Sequence, residues 1–501
     1  MKSPVDGYDF IVVGGGSAGC VIASRLSENG GARVLLLEAG SEQSLPAMAV
    51  PSAWPTLVRS SASWGEFTVV QAATGTAALL PRGRGLGGSS AINAMGFLRG
   101  HRSSYDAWVA AGAEGWGFDD LLPYFKRSEN TAGRDLSLRG VDGPLSVAPA
   151  ASPNPVLAAC LEAAVETGYR RASDISGGLE EGFGLTDLNI VDGRRQSAAD
   201  AYLTAFAANR PNLDIVTDAL VHRVRIEHGR CTGVEYSTAA DTVTAHCSGE
   251  VVLTAGSIGS AQLLMVSGIG PQAHLREVGV EVVTDLPGVG ANLHDHPIAN
   301  VVYGAAQPIP AARYNHAEIA GLLRSDPALD APDLQMVFID APGHVPNLEQ
   351  GYTIAVSVML PRSRGTVRLA GAGVDTAPVL DPNYYGDDHD LTTMVTGLRL
   401  AREIGRASAL DPWRGQEVGP GLDDDAGLRA YVRETLASYC HPVGTCRIGR
   451  DEMAVVDTDL RVHGVSGLRV ADGSVIPSIP SANTNATVYA IAERAAELIG
   501  S

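Results

Sequence analysis

Basic residues are scarce in this chain: 37 Lys and Arg stand against 56 Asp and Glu, a net charge of −19. That balance disfavours nucleic acid or an anionic membrane surface as a partner and reads as a solvated, acidic exterior. Cysteine is also sparse. Cys20, Cys160, Cys231, Cys247, Cys440 and Cys446 are scattered and form no C-x-x-C pair, which argues against a disulfide framework or a zinc ribbon and for reduced thiols in a cytoplasmic protein. No apolar run approaches the length of a membrane span. Lys2, Pro4 and Asp6 precede the first apolar run, so no secretory leader is expected. Internal repeats and low-complexity tracts are absent from the sequence as well. What remains is 501 residues of ordinary composition, 45% apolar and 19% charged, too long for a single core and therefore expected to form at least two domains.

The chain opens on a unit with a physical purpose. Phe10-Ile11-Val12-Val13 is a continuous apolar run, as in a parallel strand covered on both faces. Gly14-Gly15-Gly16-Ser17-Ala18-Gly19 follows in G-x-G-x-x-G order, and Cys20 to Leu26 carries a helical apolar stripe through Val21, Ile22 and Leu26. Gly14 permits a tight turn, Gly16 a close approach to a pyrophosphate, and Gly19 close packing of helix on strand. Phosphates would sit on the helix N-terminus, where free N–H groups and the dipole favour negative charge. Val34 to Leu37 forms the second strand, and Glu38 at its end is placed to accept hydrogen bonds from a ribose. This unit does not separate NAD from FAD.

A second glycine-dense stretch, Pro81-Arg82-Gly83-Arg84-Gly85-Leu86-Gly87-Gly88-Ser89-Ser90-Ala91-Ile92-Asn93-Ala94-Met95-Gly96, offers close backbone approach and free N–H donors. Its apolar members are out of place in a flexible linker, so it reads as a binding loop. Together with Gly14–Gly19 and Glu38, and with the run from Gly256 to Gly270 (Gly256-Ser257-Ile258-Gly259-Ser260-Ala261-Gln262-Leu263-Leu264), it resembles the GMC (glucose–methanol–choline) family of FAD-dependent oxidoreductases over nearly the whole chain. Ala261 departs from that pattern, where Pro or Ser is usual. The resemblance implies FAD contacts at Gly14, Gly16, Ser17, Ala18, Gly19, Glu38, Ala39, Trp64, Arg82, Gly83, Gly87, Gly88, Ser89, Asn93, Ala94, Gly96, Val221, Ala255, Asp472 and Asn485. Some members attach FAD through a histidine in the first signature; Ile92 occupies that position here, which implies non-covalent FAD.

The fold class expected is α/β, a Rossmann-like FAD-binding domain with a second α+β substrate domain built on an antiparallel sheet. The expected division is 1–150, 191–298 and 439–501 for the FAD domain, with 151–190 and 299–438 for the substrate domain. Helical pieces are expected between Trp108 and Glu129, after Pro155, over Asp388–Gly405 and over Asp425–Ser438, and strands at Gln335–Phe338 and Thr353–Leu360. Few charges fall in the latter segments. With Phe338, Tyr352 and Met359 as candidate roof residues, they suggest an uncharged, aromatic alcohol. His294-Asp295-His296 brackets a carboxylate between two histidines, but with no third ligand nearby it makes a poor metal site.

Tyr439-Cys440-His441-Pro442-Val443-Gly444-Thr445 resembles the catalytic histidine segment of the family, and Ser481-Ala482-Asn483-Thr484-Asn485 its partner segment. The resemblance implies His441 as base and Asn483 as second polar partner; Asn485 is the alternative, and the distance to Glu493-Arg494 favours Asn483. The implied reaction is oxidation of an alcohol to an aldehyde or ketone by hydride transfer to flavin N5, with oxygen or another acceptor taking the electrons. The rival is an FAD-containing lyase of the hydroxynitrile type without net redox chemistry. No metal, nucleic acid or membrane partner is expected.

Overall fold

The computed structural model describes residues 7–500 apart from 43, 44, 206, 208, 344 and 346; the Lys2–Asp6 stretch read above lies outside them. The opening unit folds as strand β1 (Tyr8–Val13), helix α1 (Ser17–Leu26) and strand β2 (Val34–Leu37). β2 is buried at every residue, the result expected of a continuous apolar run between two helical layers. In α1 burial extends beyond the stripe of Val21, Ile22 and Leu26 to every residue but Arg25. The small side chains Ser17, Ala18, Gly19, Ala23 and Ser24 make that possible.

Four further strands complete the main path of this sheet: β3 (Leu213–Val216), β4 (Leu220–Glu227), β5 (Arg230–Ser237) and β6 (Thr242–Leu253). Their order is β3-β2-β1-β6-β5-β4, and the strand Leu468–Val470 joins β6 from the far end of the chain. β6 serves two sheet types. Its first half pairs antiparallel with β5, and its second half runs parallel to β1 and to Leu468–Val470. Its apolar end, Val251-Val252-Leu253, is the part buried on both faces. Helix α2 (Gly256–Val266) follows at once.

The second sheet is antiparallel. It contains β7 (Pro297–Ala305), β8 (Ile319–Leu323), β9 (Leu334–Ile339) and β10 (Gly351–Val358), in the order β7-β10-β9-β8 between edge strands Arg414–Gly419 and Gly182–Leu185. Helix α3 (Asp388–Gly405) covers one face. All eight residues of β10 are buried, because α3 lies on one side and the cavity wall on the other. The expected helix over Asp425–Ser438 is shorter, ending at Glu434. Ala437 and Ser438 leave it to pair with Ile298 and Pro297 of β7, so that stretch is extended. The last helix, α4 (Asn485–Gly500), returns to pack on α1 and on the helix Phe118–Ser128, and its buried Glu493 accepts from Arg25 of α1 at 2.8 Å and from Tyr202 at 2.8 Å.

Candidate active site

The first turn is built so that backbone, not side chains, faces an open space. Gly14 has φ +105°, and a Cβ there would lie 2.7 Å from the Thr254 carbonyl oxygen. A Cβ on Gly19 would lie 1.8 Å from the Gly14 oxygen; this glycine is required for packing, and it does not line the cavity. Gly16 is the open one, with its nearest neighbour, Gly88 Cα, 3.9 Å from a Cβ. α1 has neither a side-chain cap nor an acid in its first turn, so its N-terminal N–H groups point at that space without an internal anion.

Glu38 does more locally than ribose binding requires. Its Oε2 accepts from Gly15 N at 2.8 Å, and its Oε1 from Gly40 N at 2.7 Å and Gly85 N at 2.9 Å. One carboxylate thus ties the first glycine turn to the second glycine loop, with about one of its four acceptor positions left. Burial pushes its pKa up, and those three N–H groups oppose the shift. Gly87 strengthens the same tie through Gly87 N to Gly15 O at 2.8 Å, and like Gly19 it stands behind the cavity wall.

The cavity holds about 740 Å³ and runs from the first turn to the histidine segment, a size suited to one large ligand. The remaining cofactor candidates line it: Gly14, Gly16, Ser17, Ala18, Glu38, Ala39, Trp64, Arg82, Gly83, Gly88, Ser89, Asn93, Ala94, Gly96, Val221, Ala255, Asp472 and Asn485. Asp472 is 2% exposed. It accepts from Gly256 N at 2.8 Å, Ser260 Oγ at 2.6 Å and Ser474 N at 2.8 Å, pinning the start of α2 to the cavity. Trp64 lies under the guanidinium groups of Arg82 and Arg84, at 5.4 and 5.1 Å from its ring centre. A glycine cradle, unopposed helix N–H groups and an elongated cavity fit a dinucleotide.

At the other end three segments converge. His441 Nδ1 lies 3.0 Å from His296 Nδ1, His296 Nε2 lies 3.2 Å from the Met359 carbonyl oxygen, and His441 Nε2 lies 3.2 Å from Asn483 Nδ2. The proton positions follow from the acceptor at the end of the chain. A carbonyl can only accept, so His296 carries its proton on Nε2 and offers a lone pair at Nδ1. His441 must then donate from Nδ1, which leaves its Nε2 unprotonated beside the Asn483 amide. Burial pushes His441 down to about 3 and His296 well below its ordinary value, so both rings are neutral near pH 7. Asp295 sets both backbones: its Oδ1 accepts from His441 N at 2.7 Å and His296 N at 2.8 Å, while Tyr384 and Ser438 donate to its Oδ2. Asn485, the other candidate, is the first residue of α4 and has no bond to His441.

The histidine pair was not legible from spacing, since 145 residues separate its members. His294, grouped with His296 in the sequence, is otherwise engaged: Nδ1 bonds the Asn292 carbonyl at 2.6 Å and Nε2 accepts from Ile479 N at 2.9 Å.

The second sheet roofs the cavity through Ile298, Ala320, Val337, Ile339 and Ala355. Ala320, Val337 and Ala355 are direct cross-strand partners, one row on one face. Phe338 and Tyr352, expected in the roof, lie on the opposite face. Phe338 stacks on Phe183 at 5.3 Å and Tyr352 on Tyr303 at 5.3 Å, both within the core under α3. The alternation of the strand was right and the choice of face was not.

Comparison with known proteins agrees with this geometry. A family model described as GMC oxidoreductase matches residues 8–298, and a second of the same description matches residues 361–492. The chain is 38% identical over 525 residues to an oxygen-dependent choline dehydrogenase of Rhizobium etli, covering 98% of this chain and 95% of that one. It is also 38% identical over 534 residues to the mitochondrial choline dehydrogenase of Homo sapiens, covering 99% and 90%. Among solved structures, pyridoxine 4-oxidase from Mesorbium loti superposes with a TM-score of 0.95 at 36% identity, over 98% of this chain and 99% of that one.

Proposed function

The chain belongs to the GMC oxidoreductase family and is an FAD-dependent oxidoreductase acting on CH–OH groups; from that premise we propose that His441 is the base and Asn483 its hydrogen-bonding partner in the oxidation of an alcohol to an aldehyde or ketone. The observation that carries this reading is the contact of His441 Nε2 with the Asn483 amide at 3.2 Å, both residues lining the cavity. FAD, when bound, supplies the hydride acceptor at N5. His441 Nε2 takes the hydroxyl proton, and Asn483 Nδ2 exchanges its bond to His441 for one to the substrate oxygen. A neutral imidazole is far too weak to ionise an alcohol fully, so proton removal is coupled to loss of the hydride. As charge grows on His441, its Nδ1–H bond to His296 strengthens and offsets part of the cost.

The cofactor is held without a covalent bond in this reading. Ile92, at the attachment position of the resemblance, is an aliphatic side chain packed near Leu57 and Ala62. Acid precipitation should then release all FAD to the supernatant. Oxygen or another acceptor takes the two electrons, giving hydrogen peroxide in the first case. Among the described residues no helix is long and apolar enough to cross a membrane, and we propose a cytoplasmic location.

The test is anaerobic mixing of the yellow enzyme with an alcohol panel, followed by admission of oxygen. Bleaching of the flavin with carbonyl formation supports the reading; carbonyl release from an enzyme whose flavin stays oxidised throughout would replace it with the lyase. His441→Ala should slow bleaching by orders of magnitude while FAD stays bound, and unchanged bleaching would remove His441 from the role.

A further inference from the structure

The choline dehydrogenases among the relatives act, by name, on an alcohol that carries a quaternary ammonium group. Burying such a cation needs a partner of opposite charge or a box of aromatic faces. The residues above His441 and Asn483 provide neither. Ile298, Ala320, Val337, Ile339 and Ala355 present only hydrocarbon to the cavity.

Of the four acids that line the cavity, three are engaged elsewhere. Glu38 is bonded to three backbone N–H groups and Asp472 to two N–H groups and a hydroxyl. Glu66 accepts from Arg82 at 2.7 Å. Asp375 is exposed, beside Val374 whose carbonyl is bonded to Gln262 of α2, and so offers no buried counter-charge. Asp295 stands nearest the histidines but is 2% exposed and filled by four donors. The aromatic option fares no better. Trp64 already faces two guanidinium groups and Tyr439 packs on the His441 ring at 4.4 Å, which leaves Trp54 as a single ring face in the lining and not a box. A fixed cation two carbons from the hydroxyl would also oppose the positive charge that His441 must acquire.

Resting on the reading of this cavity as an alcohol-oxidising site, we propose that the enzyme takes an uncharged alcohol with an apolar body and discriminates against quaternary ammonium alcohols, choline included. The test compares choline with 3,3-dimethylbutan-1-ol, which has the same shape with carbon in place of the charged nitrogen. On the FAD-loaded enzyme under anaerobic conditions, the neutral isostere should reduce the flavin with an efficiency at least about a hundredfold above that of choline, the penalty for an unpaired buried cation. Equal or better reduction by choline would overturn the proposal and leave alcohol oxidation standing. If neither compound bleaches the flavin, their binding is read from the perturbation of its absorbance spectrum. At least tenfold tighter binding of the isostere then supports the charge discrimination, and equal or tighter binding of choline refutes it. Failure of every alcohol in a wider panel to bleach the flavin would instead bring down the oxidation reading, while the binding comparison still decides the charge preference.

Discussion

Replacing His296 separates its proposed role from simple packing. His441 Nδ1 donates to His296 Nδ1 at 3.0 Å, and in the reaction that donor belongs to a ring becoming an imidazolium. A hydrogen bond to a charged group contributes about 1.5–3 kcal/mol, which at 1.36 kcal/mol per decade corresponds to a loss of about 10- to 150-fold in the flavin-reduction rate constant. His296→Leu fills much of the space and removes the acceptor, so it should show that loss. His296→Asn can return an oxygen near the former Nδ1 position and should recover most of the rate. Rapid-mixing measurement of flavin reduction across substrate concentration distinguishes the two effects, since the limiting rate should fall while substrate affinity changes little. The acid limb of the rate should also move to lower pH in His296→Leu, because the imidazolium form of His441 loses the acceptor of its Nδ1–H. Equal loss in both variants, with no change in the pH profile, would mean that His296 only fills space; no loss in His296→Leu would refute the tautomer argument.

Gly19→Ala places a Cβ 1.8 Å from the Gly14 oxygen, so it should abolish FAD retention, read as the ratio of flavin to protein absorbance, although alanine ordinarily favours a helix. Glu493→Gln weakens a buried carboxylate that holds Arg25, Arg127 and Tyr202; a loss of about 3 kcal/mol is expected in urea unfolding, at the low end for a broken buried pair because Arg25 keeps its bond to Glu28. His294 and His441 are both held down to about 3, chiefly by burial. From their ordinary value of 6.5 down towards 3 the unfolded chain binds protons that the folded chain does not, so stability should be full above 6.5 and fall as pH drops through that window. Denaturation midpoints measured between pH 7 and pH 4 check this, and a flat profile would contradict it. For His294 the reason is visible: a proton on Nε2 would face the Ile479 N–H that now donates to it.

What could be read from the sequence was mostly local. The strand–turn–helix at Tyr8–Leu26 was legible because Gly14 and Gly19 meet their obstacles within the same unit or its parallel neighbour, while Gly16 is left open. The helix after Asn154 was equally plain, since its cap lies one residue from its start. The histidine pair was not, because it forms only when β7 and the stretch after Ala437 are brought together, and nothing near His296 in sequence reports that approach. The roof shows a different limit. Alternation divides a strand into two faces without saying which face meets the cavity, and in β10, buried on both faces, the alternation itself disappears. Phe338 and Tyr352, expected in the roof, instead fill the core under α3.

The arrangement would also let the proposed base stay fixed while the roof of the cavity changes. The position of His441 depends on Asp295, His296, Ser438 and the pairing of His294 with Val443, all at the point where β7 begins and Ala437–Ser438 pairs with it. The roof row of Ala320, Val337 and Ala355 lies on β8, β9 and β10, and none of these residues bonds through its side chain to the histidine cluster. Exchanging a roof side chain therefore alters charge and volume over the cavity without moving His441. Met359 links the two: it follows β10 directly and its carbonyl lies 3.2 Å from His296 Nε2. Because that link is a main-chain atom, the roof is coupled to the base through the path of the backbone and not through the identity of the side chains that face the substrate.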